Sequence, residues 1–180
     1  MKYLYYISLF LFPLGMLAQQ INWMSLDEAM AAQKKEPRKI MMDVYTDWCG
    51  PCKLLDKRTF QNEDVAQYIN EHYYAVKFNA EGNSKIKYKG ETFTNTGYDP
   101  ARKGKRNGNH QFTAYLGITG YPSIVFFDEN ADLIVPLTGF LAPQQLELYL
   151  KLFVKDAHKK IKTSEDFQQY QDNFKPNFKG

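Results

Sequence analysis

Cysteine is almost absent from this chain: its 180 residues hold two, Cys49 and Cys52. That scarcity excludes several chemistries. A structural zinc site takes four ligands, and two sulfurs with histidines scattered singly at His72, His110 and His158 give none of the usual ligand spacings. Attachment of a c-type haem requires histidine directly after the second cysteine, where this chain has Lys53. With no third cysteine, any redox cycle runs through this one pair, and another molecule gives or takes the electrons. A strong charge of one sign is also lacking. The net charge of +3 is too mild to imply a nucleic-acid partner without a concentrated patch. Beyond the first eighteen residues, no apolar run approaches the roughly 20 residues that a membrane span needs.

Those first residues stand apart from the rest. Lys2 precedes a charge-free apolar run from Tyr3 to Leu17, which ends at Ala18 before the polar pair Gln19 and Gln20. This pattern predicts a secretory signal peptide cleaved after Ala18. An uncleaved anchor is the alternative, since Met16 stands where a small residue is preferred. No cysteine near the end of the run offers a lipoprotein attachment point. The expected organisation is therefore a signal peptide over residues 1–18, one domain over 19–161 with an insertion at 81–111, and a C-terminal tail over 162–180. A domain of that size can bury a substantial core. Export also changes how the cysteines are read, because outside the cytosol such a pair tends to be oxidised unless a dedicated electron supply keeps it reduced.

What the chain does have is Trp48-Cys49-Gly50-Pro51-Cys52, with both thiols spaced to close one small disulfide ring. A static structural bridge is the bland reading. Such bridges usually close long loops, and two intervening residues constrain almost nothing. The pair falls at a predicted strand-to-helix junction. There the helix's unpaired N–H groups lower the first thiol's pKa from about 8.5 into roughly 3.5–7.5, which gives a reactive thiolate near neutral pH.

Around the motif, Ser25 and Glu28 form a capping-box pattern that predicts a helix to about Glu36. Ile40–Tyr45 predicts a buried strand with Asp43 its one charge, a carboxyl whose apolar setting should raise its pKa. The motif helix continues towards Phe60, a second helical piece spans Glu63–Glu71, and Tyr73–Phe78 is the next strand. Residues 81–111 depart from this pattern, with five glycines and seven Lys or Arg against three acids, a net +4. Two readings compete for them: a solvated, flexible excursion, and a substrate-contacting surface. On the second, Lys85, Lys87, Lys89, Arg102, Lys103, Lys105 and Arg106 put positive charge near the reactive sulfur and favour acidic partners, and deleting Asn83–Gly108 is expected to leave a folded protein that reduces a small disulfide but loses its native partner. Phe112–Leu116 predicts a short helix, and Ser123–Phe127 with Leu133–Leu137 a hairpin. Pro143 opens an amphipathic helix, and the tail from Thr163 is expected to be a short docked helix with a frayed end.

In this order of elements the chain resembles the thioredoxin superfamily. The likeness rests on Trp48-Cys49-Gly50-Pro51-Cys52 after a strand, Gly120-Tyr121-Pro122 before a hairpin, and Gly139 before a last helix. It covers roughly Ser25–Val154 apart from the insertion. It implies an α/β thioredoxin fold, a central mixed sheet flanked by helices, with the insertion lying between the second core strand and the cis-proline segment. It also implies Cys49 as the exposed nucleophile and Cys52 as the partly buried resolving thiol. Asp43 takes the place of the family's buried acid, which exchanges a proton with the second cysteine, and Lys77 is its neighbouring cation. Pro122 matches the cis-proline and would place the Tyr121 backbone beside the sulfurs. Trp48, Gly50, Pro51, Tyr121 and Pro122 are then the substrate-binding positions. Tyr121 departs from the smaller threonine or isoleucine of cytosolic thioredoxins.

The function implied is an exported thiol-disulfide oxidoreductase, placed in a bacterial periplasm, that reduces protein disulfides with the help of a redox partner protein. It needs no cofactor or metal, binds no nucleic acid and has no membrane span after signal cleavage. The Gly50-Pro51 pair resembles the reducing members, with a disulfide-forming oxidase as the alternative direction. A non-catalytic binding module on the same scaffold is the alternative from another class.

Overall fold

The computed structural model describes residues 20–180, so the leader expected over residues 1–18 lies outside the described part. A two-residue strand that sequence periodicity could not register, β1 (Trp23–Met24), comes first. Ser25 then opens α1 (Leu26–Gln33) as its pattern predicts. Its hydroxyl accepts the Glu28 N–H at 3.3 Å while the Glu28 carboxylate accepts the Ser25 N–H at 2.8 Å. The apolar run becomes β2 (Lys39–Tyr45), buried on both faces over its first six residues. The motif helix α2 (Gly50–Leu55) runs on through a π-helical turn at Asp56–Phe60, and α3 (Glu63–His72) leads into β3 (Tyr73–Asn79).

A strand covered on both faces belongs in the middle of a sheet. Accordingly, β2 pairs in parallel with β3 and antiparallel with β6 (Ser123–Phe127), which turns back as β7 (Leu133–Thr138). The five strands lie in the order β1-β3-β2-β6-β7, a mixed sheet. Alternation along β2 divides the core. Ile40, Met42 and Val44 pack on the α1 side, whereas Met41 joins Leu55, Val65 and Ile69 on the side of α2 and α3. Asp43 shares the parity of Met41, so its carboxyl belongs to the α2 face.

The segment 81–111 is not a solvated excursion. Its first half forms a hairpin, β4 (Ile86–Tyr88) and β5 (Glu91–Phe93), closed by Lys89 and Gly90 with φ of 49° and 83°, the paired positive φ of a type I′ turn. Ile86, Tyr88 and Phe93 are buried in the α1-side core, and the Tyr88 hydroxyl donates to the Ala131 carbonyl at 2.6 Å. The expectation that Asn83–Gly108 can be removed is thus overturned. The deletion would take three large core side chains, each worth about 1.5–3 kcal/mol, from a domain whose whole stability is on the order of 5–15 kcal/mol. The helix that follows, α4 (Gln111–Tyr115), is capped by buried His110, whose Nδ1 accepts the Phe112 N–H at 3.0 Å.

The last helices close the α2 side: α5 (Pro143–Val154), opened by Pro143, and α6 (Ser164–Asn173), capped by Thr163. The expected frayed end is instead pinned. The fully buried Glu147 carboxylate accepts the N–H groups of Asn177 and Phe178 at 2.8 and 2.9 Å, and the Lys179 N–H donates to Asp64 at 2.7 Å. Among the described residues no helix is long and apolar enough to cross a membrane.

Candidate active site

Cys49 and Cys52 are joined in a disulfide at the N-terminus of α2, just beyond the end of β2. Cys49 is itself the N-cap: its backbone N–H donates to the Thr46 carbonyl, and its Sγ accepts the Cys52 N–H at 3.1 Å. A sulfur in that position faces the unpaired N–H groups of the first helical turn. Cys49, expected to be exposed, is instead buried like its partner, with Cys49 2% and Cys52 7% exposed. Because the Cys49 sulfur is turned back onto the helix terminus, the exposed corner of the motif is its middle pair, Gly50 and Pro51.

Asp43 lies beneath this ring, 4% exposed. Burial raises its pKa to about 7; Lys77 draws it down and Asp56 pushes it up. Its Oδ1 is buried with no hydrogen-bond partner, as is the Thr46 hydroxyl. The Lys77 ammonium, expected to pair with Asp43, is 3.9 Å from Asp43 and 2.7 Å from Asp56, while also lying over the rings of Trp23 and Tyr45. Asp43, Thr46, Cys52, Asp56 and Lys77 line one cavity of about 270 Å³, which brings the acid and the second cysteine to a shared opening. Asp56 escaped the sequence reading. It stands four residues after Cys52, one helical turn on, and that spacing was the available signal.

Just before β6, the Tyr121–Pro122 peptide is cis, as the resemblance implies. The Pro122 carbonyl accepts the Gly139 N–H at 2.8 Å, which ties this segment to the end of β7. The ring of Tyr121 meets that of Trp48 edge-on with centroids 6.4 Å apart, and burial raises the Tyr121 pKa.

Three further residues, of which the sequence marked only Arg106 as one of the insertion's cations, hold the motif from the insertion side. The Trp48 indole N–H donates to Glu81 Oε2 at 2.7 Å, and the same oxygen accepts the Asn107 N–H at 2.7 Å. The Arg106 guanidinium lies 4.2 Å from the centre of the Trp48 ring. The signal for Glu81 was topological: β3 runs parallel to β2, so the residues following it emerge at the cysteine edge. The arrangement therefore combines a disulfide at a helix N-terminus with a buried carboxyl whose pKa lies near neutrality and an anchored aromatic rim.

Residues 26–153 match the family described as thioredoxin-like domain. The thiol:disulfide interchange protein DsbD of Pectobacterium atrosepticum is 28% identical over 134 residues, which are 73% of this chain and 19% of that protein. The chain thus spans about a fifth of the length of the curated relatives it matches. Among solved structures, a thioredoxin-fold protein from Helicobacter pylori superposes with a TM-score of 0.59 at 14% identity, over 88% of this chain and 91% of that one. A Bacteroides thetaiotaomicron protein assigned as a disulphide isomerase gives a TM-score of 0.52 at 27% identity, over 77% of this chain and 96% of that one.

Proposed function

Because the chain belongs to the thioredoxin-like domain family, a family of thiol-disulfide oxidoreductases, we propose that it is an exported reductase of protein disulfides working in a bacterial periplasm. The observation that carries this reading is the pairing of Asp43 with Cys52 on one cavity, the acid held at a pKa of about 7. A resolving thiol needs a base that is part ionised at working pH, and a group with its pKa near that pH meets the need.

The cycle starts from the dithiol. The Cys49 thiolate attacks one sulfur of a substrate disulfide, forms a mixed disulfide and expels the other substrate sulfur as thiolate. The Asp43 carboxylate takes the Cys52 proton, and the Cys52 thiolate attacks the Cys49 sulfur, releasing the second substrate thiolate. Two electrons pass to the substrate, and the protein is left with the Cys49–Cys52 bridge. A partner protein's dithiol must then reduce that bridge. Apolar leader residues support export, and Gly50-Pro51 supports the reducing direction.

Insulin reduction in the presence of dithiothreitol tests the activity, with Cys49→Ser as the control; equal rates for the two proteins would overturn the reading. Equilibration with glutathione buffers sets the direction, and a pair that stays reduced under oxidising glutathione would favour the oxidase instead. Cys52→Ala leaves the mixed disulfide unresolved, so mass spectrometry of the adducts identifies substrates.

A further inference from the structure

Beside the redox motif lies a second cavity of about 230 Å³, walled by Asp47, Asn79 and Glu81 on the sheet edge and by Tyr98, Lys103 and Lys105 on the insertion. Its outer wall is built rather than loose. Asp99 and Asn107 close the loop between them reciprocally: the Asn107 amide oxygen accepts the Asp99 N–H at 2.8 Å and its amide NH2 donates to the Asp99 carbonyl at 2.8 Å. The Asn95 amide clamps the carbonyls of Gly82 and Gly108 at 2.9 and 2.6 Å. Gly97 and Gly108 touch so closely that a Cβ on Gly108 would fall 2.4 Å from the Gly97 oxygen. Glu81 then joins this wall to the motif, holding Asn107 and Trp48 on the same oxygen.

By count the charges lining the cavity balance, Asp47 and Glu81 against Lys103 and Lys105, and the asymmetry lies in their partners. The two carboxylates already have donors: Asp47 accepts from the Asn79 amide at 3.1 Å, and Glu81 from Trp48 and Asn107. Lys103 and Lys105 have no carboxylate within 4.0 Å among the described residues. They are exposed at the mouth. What these two ammonium groups lack is a carboxylate partner. The cavity's small size and position two residues from Cys49 suit a side chain carried on the chain that bears the disulfide.

We propose that this cavity receives an Asp or Glu side chain of the polypeptide substrate and so selects disulfides with acidic flanks. The inference rests on the thiol-exchange reading above and adds a specificity site to it. Its binding term is electrostatic and partly exposed, so it weakens as salt screens the lysines.

The test uses synthetic peptides that each hold one intramolecular disulfide, flanked by Asp and Glu, by Asn and Gln, or by Lys. The reduced protein is mixed with each, and kcat/KM is measured at low and at high ionic strength. The expected result is a roughly fivefold preference for the acidic peptide over the neutral one at low salt, the scale of one or two exposed charge pairs. High salt abolishes the preference, and so does the double variant Lys103→Gln, Lys105→Gln. Equal kcat/KM for acidic and neutral peptides in the wild type overturns the proposal, as does a preference that survives in the double variant. If the wild type fails to reduce even the neutral peptide, the thiol-exchange reading falls and this one with it.

Discussion

Asp43 and Lys77 stand directly opposite one another in the parallel β2–β3 pair, yet the Lys77 ammonium sits 3.9 Å from Asp43 and 2.7 Å from Asp56. The cation is shared, and its nearer partner is the acid on the motif helix. Asp43 is therefore buried with its charge only partly offset, and burial prevails: its pKa rises to about 7. The π-helical turn that begins at Asp56 is where this second carboxyl enters.

Lys77→Met should move the Asp43 midpoint further up. A unit charge at about 4 Å in a water-like dielectric is worth on the order of 1 kcal/mol, which is roughly 0.7 of a pH unit. Asp56→Asn should move it down, because it removes a like charge and frees the ammonium for Asp43. Carbon-13 titration of the Asp43 carboxyl reads both, and a midpoint that stays near 7 in both variants would show that Lys77 and Asp56 play no part.

Asp43 also links stability to pH. Its folded pKa of about 7 lies above the ordinary value of 3.8, so the native state holds the extra proton between those values. The stability this confers is fully present below pH 3.8 and is lost as pH rises through 7. Asp43→Asn should flatten that slope and make the oxidised protein more stable at pH 8, by up to about 4 kcal/mol. The same variant should slow turnover, because Cys52 loses its base. Urea unfolding at pH 5 and 8 gives the first quantity and insulin reduction the second. Unchanged turnover would reduce Asp43 to a core acid.

Much of this was legible in the sequence because the signals were local. The apolar run at Ile40–Tyr45, the Ser25 capping box, Pro143 and the Cys-x-x-Cys spacing each specify an element within a few residues, and the structure contains every one. The β4–β5 hairpin was hidden because its turn places Lys89 at positive φ, where Asn, Asp or Gly would have announced it. The pinned tail was hidden for another reason. Asn177 and Phe178 are held through backbone N–H groups by Glu147, thirty residues earlier, and main-chain bonding of that kind leaves no side-chain pattern. The buried position of Cys49 likewise follows from how its sulfur turns, which spacing does not encode.

Glu81→Ala should loosen the rim of the site. It removes the shared acceptor for the Trp48 indole and the Asn107 N–H, and the loss of hydrogen bonds to a largely buried carboxylate is expected to cost about 2–3 kcal/mol. In a Trp23→Phe background, Trp48 is the only indole left to report the change. Its emission should shift to the red as the ring gains solvent. An unshifted spectrum with unchanged stability would mean that Glu81 holds neither partner.

The tail offers the last prediction. Removing residues 174–180 would strip Glu147 of the two backbone donors at Asn177 and Phe178, leaving Lys151 as its one partner, and would uncover the Tyr68 ring that Phe178 meets edge-on. Both effects act in the α2-side core. A buried carboxylate short of donors costs about 1–3 kcal/mol or more, and the loss of Phe178's packing adds to it, so a drop of roughly 3 kcal/mol in unfolding free energy is expected. The disulfide should survive, because none of the tail's hydrogen bonds or ring contacts is made to Cys49 or Cys52. Hydrogen exchange in the intact protein gives an independent check: the Asn177 and Phe178 amides should be protected to nearly the same degree as the middle of α5. Exchange at the rate of an open chain, with truncation leaving stability untouched, would return the tail to the frayed state that its polar sequence suggests.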